Sequence, residues 1–98
     1  MSKYKFYINR RTRFHPSLEV SSNQKEWKNM ELTSSPTKKG RYIELKHNPS
    51  KNKKTKAYLR KYIRTDPIST RKELLKKYNL SEEDLNEIEN FLLEHKKS

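Results

Sequence analysis

The stretch AYLRKYIRTDPISTRKELLKKYNL, residues 57–80, decides how the fold of this chain is read. Tyr58, Leu59, Tyr62 and Ile63 fall at i, i+1, i+4 and i+5, which predicts an apolar stripe along one short helix. Asp66-Pro67 ends that helix, because the residue before a proline is pushed out of the helical region. Ser69 or Thr70 can cap a second helix with Leu74, Leu75 and Tyr78 on its inner face, and Asn79 sits where a helix C-cap often lies. Ser81 then opens a third helix, with Asp84 at its third position and acidic residues filling its first turn. Leu85, Ile88 and Leu92 line the buried side of this last helix with Phe91 beside them, and Lys96 and Lys97 suit its carboxyl end.

Upstream, the period changes from helical to alternating. Tyr4, Phe6 and Ile8 alternate with Lys3, Lys5 and Tyr7, as in a half-buried strand. Leu18 and Val20 alternate with Glu19 and Ser21, and the polar Ser21-Ser22-Asn23 turn leads into a return strand carrying Trp27, Met30 and Leu32. Ser34-Ser35-Pro36 and Lys38-Lys39-Gly40 form a loop, after which Ile43 and Leu45 share a face of a strand over 41–46. The expected fold class is α+β: an amino-terminal antiparallel sheet of about four strands, open or curled into a barrel, followed by a three-helix segment like a helix-turn-helix. One domain over 1–98 is expected, with a β-rich basic part (1–46), a Lys/Asn-rich loop (47–56) and a helical part (57–98).

Charge follows the same division. Residues 1–64 hold 18 Lys and Arg against 4 Asp and Glu, whereas residues 65–98 hold 6 against 8. The chain as a whole carries +12. A field of this sign attracts polyanions and accelerates encounter with them, and the phosphate backbone is the commonest such partner. Leu, Ile, Val and Phe number only 19 of 98 residues, a composition that borders on disorder; six Tyr and one Trp supply large rings to offset it. A core this modest predicts added stability from a ligand or from a second copy as a homodimer. The absence of Cys excludes disulfides, thiolate chemistry and Cys-ligated zinc. No run has signal-peptide or membrane-spanning character, so a cytoplasmic protein without a membrane partner is expected.

The basic residues form separable groups. Arg10, Arg11 and Arg13 crowd a strand end beside Tyr7 and Phe14, and arginine suits bidentate contact with phosphate or guanine. Lys38, Lys39 and Arg41 flank Gly40 at a tip shaped like a wing for a minor groove. Lys54 and Lys56 belong to the polar loop, and Arg60 and Lys61 lie off the apolar stripe of the first expected helix, the one a groove could accept. These ten residues are the candidate nucleic-acid contacts; the tip and loop groups can equally be solvated surface, whereas three Arg in four positions is uncommon for a merely soluble face. Tyr4, Phe6 and Trp27 read as core, while Tyr7 and Tyr42 are the aromatics placed to stack bases. His15, His47 and His95 have no metal-ligand spacing, Gly40 makes no phosphate loop alone, and Glu82-Glu83-Asp84 reads as a helix start rather than a cation site. No cofactor, metal or catalytic residue is expected.

Residues 70–95 resemble a helix-turn-helix, but the last helix carries Glu82, Glu83, Asp84, Glu87 and Glu89, which phosphates repel, so it would serve packing or dimerisation. His15-Pro16-Ser17-Leu18-Glu19-Val20, Leu32-Thr33-Ser34-Ser35-Pro36, Arg41-Tyr42-Ile43-Glu44-Leu45 and Lys46-His47-Asn48-Pro49 resemble small basic proteins of Gram-positive mobile elements. That likeness, to winged-helix accessory factors of plasmid conjugation, implies duplex DNA binding at an origin of transfer. Pro16-Ser17-Leu18 and Thr33-Ser34 also resemble the small ribonuclease toxins with a curled β-barrel, which would give Arg41 or Arg13 a phosphate to stabilise and Thr33 an assisting role. The expected function is a non-enzymatic accessory that binds double-stranded DNA. Its rivals are a toxin-like ribonuclease and a basic module that docks on an acidic protein or inhibits a nucleic-acid-binding one.

Overall fold

A computed structural model describes residues 4–38 and 40–97. Seven strands and one long helix follow in the order β1 (Phe6–Asn9), β2 (His15–Ser22), β3 (Glu26–Thr33), β4 (Tyr42–Glu44), β5 (Tyr58–Arg60), β6 (Arg64–Pro67), β7 (Arg71–Leu74) and α1 (Glu82–Lys97). Short 3-10 turns over Arg10–Thr12 and Ile68–Thr70 separate β1 from β2 and β6 from β7. All strand pairs are antiparallel, in the order β4-β5-β3-β2-β1-β7, with β6 on the amino-terminal half of β3. Among the described residues β4 and β7 end this path unpaired with each other, so the sheet is not a closed barrel.

The three-helix segment expected over 57–98 is therefore corrected: only its last helix forms. Residues 58–60 and 64–67 are strands because β3 needs them. Its carboxyl end pairs Leu32 with Leu59 and Thr33 with Tyr58, and its amino end pairs Trp27 with Asp66 and Asn29 with Arg64. Helices there would leave the backbone groups along that edge of β3 without ladder partners, at a cost comparable to lost hydrogen bonds. Likewise β7 pairs with β1, Asn9 opposite Arg71 and Tyr7 opposite Leu74. The spacing of Tyr58, Leu59, Tyr62 and Ile63 was a coincidence of strand residues: Leu59 is buried, Tyr58 and Ile63 are half-buried, and Tyr62 is exposed.

Strand β3 divides the interior. Phe6, Leu18 and Met30 lie side by side across β1, β2 and β3 on one face, joined by Leu32, Ile43, Leu59 and Ile88 of α1 in the apolar core. Trp27 and Asn29 point to the other face with Asn9, Asp66 and Thr70, all of them buried. The indole N–H of Trp27 donates to the Thr70 hydroxyl at 3.0 Å, and Tyr7 packs edge-on against the indole at 6.0 Å between ring centres. The radius of gyration, 12.7 Å, matches the roughly 13 Å of a folded domain this long, so the sparse aliphatic content still closes a core.

The helix start is tied down by its own cap residues. Ser81 accepts the Asp84 backbone N–H at 3.2 Å, the expected N-cap contact. The fully buried Asp84 carboxylate accepts the backbone N–H groups of Lys46 (2.8 Å) and His47 (3.2 Å), so the helix start also fixes the chain leaving β4. The 48–56 loop is anchored at both ends: Pro49 C=O accepts the Asn79 N–H (3.0 Å), Asn48 Nδ2 donates to Thr55 C=O (2.9 Å), and Ser50 bridges to Tyr78. No helix among the described residues is long and apolar enough to cross a membrane.

Candidate functional site

The buried carboxylate of Asp66 organises the polar face of the sheet. Its Oδ2 accepts from Asn9 Nδ2 (3.1 Å), Asn29 Nδ2 (3.0 Å) and Arg64 Nε (3.2 Å), and its Oδ1 accepts from Arg64 Nη2 (3.2 Å). Burial alone pushes the Asp66 carboxyl up, but the hydrogen bonds from Arg64, Asn29 and Asn9 outweigh it and hold its pKa below the usual value. Asn9 passes this order to the arginine turn. Its Oδ1 accepts the Arg11 backbone N–H (2.9 Å), and its C=O accepts the Phe14 N–H (3.0 Å) and the Thr12 hydroxyl (3.3 Å). Arg11 Nε reaches back to Asp66 Oδ1 at 3.8 Å while its side chain stays largely exposed.

The turn is strained. Arg13 (φ 56°, ψ 38°) and Phe14 (φ 63°) occupy the left-handed region, the sole non-glycine residues among those described to do so. Left-handed backbone costs an L-residue about 1–2 kcal/mol, so the Asn9 contacts hold this shape against a local preference. Arg10, Arg11, Arg13 and Phe14 consequently project from one end of the β1–β2 hairpin, and Phe14 is 61% exposed.

Beside them opens a cleft of about 310 Å³ lined by Phe14, His15, Pro16, the Thr33–Ser35 segment after β3, and Asn48, Lys53, Thr55, Ala57 and Tyr78. His15 Nδ1 lies 3.8 Å from Glu31 Oε2 across the β2–β3 pair. Thr33 Oγ1 accepts the Ser35 N–H at 3.1 Å, which shapes the cleft wall. A cation, an imidazole, several hydroxyls and an open aromatic ring thus share one concavity. Among the described residues no three His, Asp or Glu side chains gather as a metal site would need.

The ten candidate contacts do not form one patch. Arg10, Arg11 and Arg13 stand together at the turn, next in sequence to the cleft residue Phe14 but not themselves lining the cleft, and Lys53, which was not among the ten, does line it. Lys54 and Lys56 lie on a neighbouring concavity of the 45–56 segment, where Lys56 Nζ is 3.7 Å from Glu44 Oε1. Lys38, Arg41, Arg60 and Lys61 belong to the β4–β5 end of the strand order: Lys61 N–H donates to Arg41 C=O at 2.8 Å, and the Arg60 guanidinium sits 5.4 Å above the Tyr62 ring. Lys39 lies outside the described residues. The helix that was to present Arg60 and Lys61 to a groove is a strand and a turn, which corrects that placement.

Both aromatics read as stacking rings are occupied. Tyr7 packs between Trp27 and the Arg71 guanidinium, 4.7 Å from its ring centre. The Tyr42 ring lies over Gly40, where a Cβ would collide with it, and its hydroxyl accepts the Thr37 N–H at 3.3 Å. Sequence reasoning placed Phe14 beside the arginines without giving it a role, and took Asp66 only as a helix stop before Pro67. No family model, curated protein or solved structure matches this chain.

Proposed function

We propose that the chain binds nucleic acid, with Arg10, Arg11 and Arg13 gripping the phosphate backbone at the mouth of the cleft. The observation that carries this reading is the β1–β2 turn itself, where a buried carboxylate and two buried asparagines brace three exposed arginines in a fixed, strained shape. Preorganised arginine forks lose little freedom on meeting phosphate and contact it bidentately. Lys53 and the hydroxyls of Thr33–Ser35 line the adjoining cleft with groups that donate to or neutralise phosphate oxygens. The β4–β5 cations form a second, separate basic region that adds long-range attraction. Duplex DNA was expected from the likeness to winged-helix accessory factors, from the wing-like tip around Gly40 and from a basic helix over 57–64; that helix is absent, and the cleft favours a ligand that can bend into it.

Anisotropy titrations with labelled duplex DNA, single-stranded DNA and RNA across a salt series test the reading. Each lost phosphate contact removes about 0.7–0.9 from the log–log salt slope, so Arg10→Ala with Arg11→Ala should lower it by about 1.4–1.8. An unchanged slope, or equally weak binding of all three ligands, rejects the proposal and points to an acidic protein partner.

One observation favours a second reading, cleavage of RNA: His15, oriented by Glu31, opens on the same cleft as Thr33, Ser34 and Lys53. In this reading the imidazole takes the proton of a ribose 2′-hydroxyl as its oxygen attacks the adjacent phosphorus, and water protonates the 5′-oxygen as its bond to phosphorus breaks. Lys53, among the described residues the one Lys or Arg lining this cleft, would then neutralise the developing charge; neither Arg13 nor Arg41 lines it. Incubating 5′-labelled RNA with wild type, His15→Ala and Thr33→Ala tests it, with 2′-deoxy substrate as the control. Products from wild type alone support cleavage, and intact RNA in every lane dismisses it.

A further inference from the structure

We infer that Phe14 is a stacking platform for one unpaired base, and that the ligand of this cleft is a single-stranded nucleic acid. The inference rests on the nucleic-acid reading above and narrows it. Three observations converge on the one side chain. Phe14 is the most exposed large apolar residue described, at 61%. It is held at φ 63° directly after another left-handed residue, where Asn or Gly would sit without the same penalty. It also forms part of the cleft that Lys53 and the Thr33–Ser35 hydroxyls line, next to three arginines. A solvated loop gains nothing from an exposed ring on strained backbone. A ring beside paired phosphate ligands is what a splayed base needs, because every base has a π-face and stacking tolerates any sequence. Duplex grooves offer no such face without unstacking, and a blunt end offers only the one face of its terminal pair. The two other candidate rings, Tyr7 and Tyr42, are committed to intramolecular packing, so the choice falls on Phe14.

The test uses the full chain with a fluorescein-labelled 12-nucleotide single-stranded RNA, a single-stranded DNA of the same sequence, a blunt duplex, and inorganic polyphosphate as a competitor without bases. Wild type should prefer the single strands. Phe14→Ala should weaken them about 5- to 150-fold, the fold-change equivalent of one stacked base, without altering polyphosphate competition. Phe14→Trp should retain single-strand affinity, and Phe14→Asn should lose it while melting at the same temperature or higher, since asparagine tolerates the left-handed backbone. Equal loss of oligonucleotide and polyphosphate in Phe14→Ala would make the residue a prop for the arginines and overturn the inference. Unchanged oligonucleotide affinity in that variant would also overturn it, and would assign the ring to a protein partner. If wild type binds neither oligonucleotide nor polyphosphate, the nucleic-acid reading itself fails, an outcome distinct from both.

Discussion

The two faces of β3 solve different problems with the same backbone. On one side, Phe6, Leu18, Met30 and Leu59 are all fully buried and make no polar demand, so they favour the fold at any pH. On the other, Asn9, Asn29 and Asp66 are buried too, but their polar groups need partners, and they find them in each other, in Arg64 and in the Arg11 N–H. A buried ion network of this kind contributes little net stability compared with an apolar replacement, yet is costly to break at one member. What it supplies is geometry: through Asn9 it fixes the arginine turn. The apolar face holds the sheet together, and the polar face aims the site.

The largest expected effect comes from the apolar face. Leu18 lies opposite both Phe6 and Met30 in the ladder and is fully buried. Leu18→Ala should cost about 2–5 kcal/mol, which for a chain this size lowers Tm by roughly 10–30 °C. Urea melts check it. A loss under about 1 kcal/mol would mean that this face is not the main support and would invert the comparison.

Asp66→Asn should cost less, about 1–3 kcal/mol, because it keeps the shape but weakens the acceptor that Arg64, Asn9 and Asn29 share. Its signature is in the pH dependence. The Asp66 pKa is depressed in the fold, so its contribution is present above the unfolded value, about 3.9, and is lost as pH falls through the lower folded value. Wild type should therefore lose stability below about pH 4, and the Asn variant should show a shallower acid limb. Identical acid limbs would remove Asp66 from the account of this face. The same variant should weaken polyanion binding more than Leu18→Ala does among molecules that remain folded.

What was legible in the sequence follows the range of the interactions. The Phe6/Ile8 and Leu18/Val20 alternations mark strands because their partners are near in the chain, and Ser81 with its following acids marks α1 because a cap is local. Residues 57–80 were misread because their strand partners, Trp27, Asn29 and Leu32 on β3 and Tyr7 and Asn9 on β1, are roughly 30 to 65 positions away, whereas the helical spacing was in plain view. The site divides the same way. Three arginines in four positions announced the turn, but the exposure of Phe14 depends on a left-handed backbone set by Asn9, and Asn9 in turn depends on Asp66. No local pattern carries that chain of contacts.

The contrast between buried and exposed polar groups recurs where α1 meets the end of β4, and there it predicts the smallest effects. Ser81→Ala removes the acceptor for the Asp84 N–H and should cost about 1 kcal/mol. One residue away from the buried Asp84 contacts, Lys46 Nζ and Glu83 Oε2 are 2.8 Å apart, and their hydrogen bond, with their mutual attraction, raises the Lys46 pKa and lowers that of Glu83. Both side chains are more than half exposed, so water and salt screen the pair and two long side chains must be ordered to form it. Lys46→Ala should leave Tm unchanged at physiological salt, even though its hydrogen bond is as short as the Lys46 N–H bond to Asp84. A clear fall in Tm for Lys46→Ala that vanishes in 1 M salt would show that the strong positive field of this chain leaves its few exposed carboxylates more valuable than their exposure suggests.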